Sequence, residues 1–112
     1  METQLARGER SRGEWVAALR RRAEAGQESY RLAAVPAEQL WAVLENPEAD
    51  PSARIGAALT LRIQTGPEPA LRQRLAVASR ATALPEVRSA TEILAGEETE
   101  AVAVAKLTRT LR

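Results

Sequence analysis

Cysteine and histidine are both missing from the 112 residues. Without cysteine there is no disulfide, and the chain gives no indication of redox compartment. The two absences together remove the usual general base, the usual nucleophile of low pKa and most side chains that hold transition metals. Phenylalanine is absent as well and aromatics make up 3% of the chain, so a core has to be built of Leu, Val, Ile and Ala around Trp15, Tyr30 and Trp41. No run approaches the roughly 18 apolar residues that span a bilayer, and the opening METQLARGER has no apolar signal core. The net charge of +1 exerts no global pull towards nucleic acid or anionic lipid. A cytoplasmic setting is the default expectation.

The remaining titratable groups do not assemble a site. Asp50 is the only aspartate and its position suits a helix cap. Glu97, Glu98 and Glu100 cluster in one turn, but a hard cation needs several oxygens converging at fixed spacing. Gly66-Pro67-Glu68-Pro69 is no phosphate loop, because proline removes the N–H donors such a loop uses. No catalytic, cofactor-binding or metal-ligating residue is assigned. The expectation is a chain that is not an enzyme and takes no small-molecule substrate.

What is present reads as helix. At 45% hydrophobic and 28% charged residues, the chain is one domain of ordinary globular composition. Residues 1–12 are polar and charged, which predicts a disordered segment, with a single helical domain over 13–112. Trp15, Val16, Leu19 and Ala23 fall at helical spacing and Gly26 suits a C-cap. Residues 27–35 hold Tyr30 and Leu32 in a connecting segment or single turn. Pro36 begins a helix to about Glu45 with Leu40, Trp41, Val43 and Leu44 inward, and Asn46-Pro47 stops it. Asp50-Pro51 restarts the chain as a helix bearing Ile55, Leu59 and Ile63, flanked by Gly56, Ala57 and Ala58, which let a neighbouring backbone come close. Gly66 ends it, Pro67 or Pro69 opens a helix with Leu71, Leu75, Ala78 and Thr82 inward, and Leu84-Pro85 opens another, to about Ala95, with Val87, Ala90, Ile93 and Leu94 inward and Gly96 to end it. The closing stretch is ambiguous. Val102 and Val104 alternate like a strand, whereas Val104, Leu107 and Leu111 follow helical spacing, and helix is preferred because a lone strand would leave its backbone groups unmatched.

The order of a leucine-bearing helix, Asn46-Pro47, Asp50-Pro51, Ala53-Arg54 and Ala57-Ala58-Leu59 resembles a HEAT-type helical repeat. A second copy follows: Pro85-Glu86-Val87-Arg88 sits 34 residues after Pro51-Ser52-Ala53-Arg54. The same shift aligns Trp41 with Leu75, Val43 with Val77 and Leu59 with Ile93. The resemblance implies an all-α domain of five to six short helices as stacked antiparallel hairpins, about 36–65 and 67–95, in a right-handed solenoid fragment or a compact bundle. In such an array the second helices, Ala53 to Ile63 and Val87 to Leu94, would line one face. A looser likeness is to a soluble helical region of uncharacterised bacterial membrane proteins, on Trp15, Leu19, Tyr30-Arg31, Leu40-Trp41, Asn46-Pro47, Arg72, Arg74-Leu75, Leu84-Pro85 and Arg88.

Two functional expectations follow. The first is a non-catalytic protein-interaction or scaffolding module whose partner is another protein, with Arg54 and Arg88 as candidate partner-binding residues; in HEAT repeats the matching arginine is commonly structural. The second is a cytoplasmic membrane-proximal regulatory domain. Its basis is the amino-terminal arginines, six in the first 22 residues against three glutamates, with Arg20, Arg21 and Arg22 as candidate lipid-proximal residues. Arg72, Arg74 and Arg80 read as a solvated face, and no nucleic acid is expected.

Overall fold

Proline and short polar side chains open most of the helices. A computed structural model describes residues 2–28, 36–66 and 68–111; Tyr30, Leu32 and Pro67 lie outside the described residues. The elements are α1 (Glu2–Leu5), α2 (Arg12–Glu28), α3 (Ala37–Leu44), α4 (Pro51–Thr65), α5 (Pro69–Ala81), α6 (Pro85–Leu94) and α7 (Glu100–Thr110). Among the described residues the chain is all-helical, with seven helices where five or six are expected. Pro51, Pro69 and Pro85 occupy first-turn positions of α4, α5 and α6, where the missing N–H costs nothing. Pro36 stands one place earlier, as the N-cap of α3. Asp50 caps α4 by accepting from the amides of Ser52 (2.8 Å) and Ala53 (3.4 Å). Thr99 caps α7 in the same way.

Helix α4 is the centre of the molecule. It packs against all six other helices, and every residue from Ala53 to Ile63 is buried. A helix that is apolar on all sides has no solvent face to present, and this one carries Gly56, Ala57 and Ala58 where neighbours come close. The expectation that Ala53 to Ile63 lines one face of an array is therefore corrected: α4 is enclosed. The expected pairs α3–α4 and α5–α6 are both formed as packed neighbours. One continuous core joins Trp15, Leu19, Leu40, Leu44, Leu59, Leu75, Val87, Leu94 and Leu107. Burial of Trp15, Trp41 and the leucines supplies most of the driving force, since each large apolar side chain contributes roughly 1.5–3 kcal/mol.

Three boundaries depart from the sequence reading. Residues 1–12, expected to be disordered, include α1, and Leu5 is buried in the common core. The reason is tertiary: four residues cannot hold a helix alone, but the Trp15 indole N–H donates to the Leu5 carbonyl at 2.9 Å and fixes the turn. Helix α2 runs past Gly26 to Glu28, so Gly26 is not its cap. Helix α6 ends on Leu94 with Ala95 as its cap. The closing stretch is helical, as preferred: Ala103, Val104 and Leu107 are buried while Val102 is 44% exposed, which accounts for its strand-like alternation.

Candidate functional site

Arg54 lies on α4 and is 6% exposed. Its Nε donates to the carbonyl of Leu44, the last residue of α3, at 2.8 Å. Burial lowers its pKa from the ordinary guanidinium value. Arg88 lies in the corresponding turn of α6, is exposed, and donates through Nη2 to the carbonyl of Thr82, the C-cap of α5, at 2.9 Å. Both arginines thus satisfy an orphan carbonyl at the end of the preceding helix of their own hairpin, where a cation also suits the helix dipole. The two side chains stand in equivalent roles, and neither is brought to a shared surface.

The arginines of α2 are dispersed. Arg20 reaches Glu24 and, on α7, Glu100, each at 3.7 Å. Arg22 donates to the Gln4 side chain of α1 at 3.1 Å, and Arg21 is exposed. Successive helical residues point about 100° apart, so three in a row cannot share one face. Arg12 bonds the Leu111 carbonyl, and Arg7 and Arg10 exchange bonds with each other's carbonyls. The geometry brings none of these together as a single basic patch. Among the described residues no helix is long and apolar enough to cross a membrane.

On the other side, Arg74 of α5 lies 4.2 Å from the Trp41 ring centroid of α3. Its Nη2 and Nε donate to the Glu45 carboxylate at 2.7 and 3.2 Å. Donating to the Glu45 carboxylate raises the Arg74 pKa. This arrangement ties the two hairpins together and covers the exposed edge of an otherwise buried indole. Arg80 is exposed and Arg72 half-buried. Beside them Val77 is 54% exposed, the most exposed large apolar side chain of the described residues.

A groove of about 700 Å³ opens where the first turns of α4 and α6 meet the end of α7. Trp15, Ile55 and Ala90 give it an apolar lining, and Arg7, Asp50 and Glu86 a charged one. Asp50 has a lowered pKa, first through the Ser52 hydroxyl that donates to it at 2.6 Å. That hydroxyl in turn accepts the backbone N–H of Arg7 at 2.9 Å. Among the described residues no group of three acidic side chains is placed to hold a metal ion.

Sequence reasoning missed Arg62 and Leu5. Arg62 is 2% exposed and donates to the carbonyls of Leu94 (2.6 Å), Gly96 (3.1 Å) and Glu98, so one α4 side chain closes the end of α6 and holds the turn into α7. Little signal was available, because Leu61 and Ile63 point about 100° to either side of Arg62 and leave its direction open. Leu5 had none. Comparison of the chain with protein-family models, with curated proteins and with solved structures returns no match.

Proposed function

We propose that the chain is a non-catalytic protein-interaction or scaffolding module built of HEAT-like hairpins, with another protein as its partner. The observation that carries this reading is the equivalence of Arg54 and Arg88, each closing the preceding helix of its own hairpin. Two hairpins built on one plan, the buried α4 of the first packed against both helices of the second, make a preformed surface, and a preformed surface binds without the ordering cost of a flexible one. The absence of histidine and cysteine from the sequence leaves few groups for acid–base or nucleophilic chemistry.

The test is capture by in-cell cross-linking at native expression, with the full chain as bait. A discrete protein recovered in near-stoichiometric amount is expected. Arg54→Ala is expected to recover it equally well below its own melting temperature, since the arginine acts on the fold. Recovery of no protein above an unrelated helical bait would overturn the reading.

A further inference from the structure

We propose that residues 2–10 are a releasable strap over a peptide-docking cleft formed by α2 and α4, and that the cleft takes a short helical segment of another protein bearing a single leucine. This deepens the interaction reading and rests on it.

The strap displays the chemistry of the ligand it stands in for. Leu5 is its one large apolar side chain placed in the core, at 3% exposed. The Leu5 carbonyl accepts the Trp15 indole N–H at 2.9 Å, and the Arg7 amide donates to the Ser52 hydroxyl at 2.9 Å. An aliphatic side chain, a helix-terminal carbonyl and the N–H two residues further on are features any leucine-bearing turn can present, so a foreign segment can reproduce each contact.

The floor of the cleft is shaped for a backbone. A Cβ built on Gly56 would stand 2.6 Å from the Leu5 carbonyl oxygen, while its next neighbour, Leu19 Cδ1, is at an ordinary 3.4 Å. Glycine weakens a helix interior, and here it admits the main chain of α1. The strap is also folded as a unit: Gly8 takes a φ of 62°, and Arg10 turns back to the Arg7 and Ala6 carbonyls through its backbone and side chain. Helix α1 has four residues, too few to persist once detached, whereas α4 is held by six helices. Local opening therefore begins at the strap. Arg7, Trp15, Ser52 and Ile55 also line the groove of about 700 Å³, so the vacated cleft continues into space already open.

The test uses the full chain with Leu5→Ser, which empties the cleft and leaves its floor intact, and a synthetic peptide of residues 1–10 as probe, followed by the Trp15 indole N–H resonance. Saturable binding is expected, at least ten-fold tighter than to the wild-type chain, whose own strap competes. A peptide with serine in place of leucine is expected to bind at least ten-fold more weakly, and Gly56→Ala added to Leu5→Ser to abolish binding. No saturable shift, or equal affinity for wild type and Leu5→Ser, overturns the proposal. So does loss of the helical circular-dichroism signal in Leu5→Ser, because the strap would then be inseparable from the fold. These outcomes bear on the cleft alone; capture of a partner by the wild-type chain is read independently of them.

Discussion

Replacing Arg62 tests how far a single buried charge holds this fold together. Its guanidinium satisfies three carbonyls across the end of α6 and the turn into α7, and it is 2% exposed. Hydrogen bonds from a charged donor contribute about 1.5–3 kcal/mol each, and stranding a buried acceptor costs its desolvation. The carbonyls of Gly96 and Glu98 are partly accessible and can turn to water, so the three contributions do not add. Arg62→Ala should therefore cost about 3–5 kcal/mol, the lost charge-assisted bonds together with the cavity left by a large buried side chain, which is a large share of the 5–15 kcal/mol typical of a folded domain. Arg62→Met fills similar volume without a charge to desolvate and should recover part of that loss, while the carbonyls stay unpaired. Urea melts followed by circular dichroism measure both. A loss below about 1 kcal/mol for Arg62→Ala would refute the reasoning.

Three further outcomes are expected. Trp41→Ala should cost on the order of 3–5 kcal/mol, as an indole 8% exposed leaves a large cavity; a urea-melt loss under about 1 kcal/mol would mean that Arg74 and Glu45 alone support that edge. Asp50→Ala should cost about 1 kcal/mol at neutral pH. Because the folded-state pKa of Asp50 is lowered, its contribution is present above the unfolded carboxylate value and is lost as pH falls through the folded value, so wild type and variant should converge in melts taken down the acid limb; a difference that persists below pH ~2 would contradict this sign. Arg54→Ala should destabilise more than Arg88→Ala, about 1.5–3 against under 1.5 kcal/mol, since the first bond is buried and the second lies on an exposed side chain; thermal melts giving the reverse order would contradict the burial argument.

What the sequence made legible was local. The Asp50-Pro51 entrance, the Gly66 exit at a φ of 82° and the Pro85 start of α6 are read from side chains that act on their own backbone, and the structure places them there. Inward stripes such as Trp15, Val16, Leu19 and Ala23 follow from periodicity in the same way. Position in three dimensions was not legible. Gly56 announced a close approach, yet nothing in its neighbours says that the approaching backbone is Leu5, 51 residues earlier in the chain. The placement of α4 at the centre was half-written in its lack of a polar face. A repeat-based reading instead gave it an outer side, because repeats stack as neighbours whereas this helix meets every other one. The arginines were counted as a cluster along the chain, but a helix turns them to different partners: Glu100 for Arg20 and Gln4 for Arg22.

The enclosure of α4 is open to direct measurement because the chain has no cysteine of its own. Ala57→Cys, Ala58→Cys, Leu59→Cys and Thr60→Cys, made one at a time, sweep through about 300° of the helix, and all four positions are buried. In the folded protein each thiol should react with a neutral disulfide reagent only through opening of the fold, at a small fraction of the rate of a free cysteine and faster as urea is added. If thiols on one side label at the rate of a free cysteine while those opposite stay protected, α4 has a solvent face and the molecule is not organised around it.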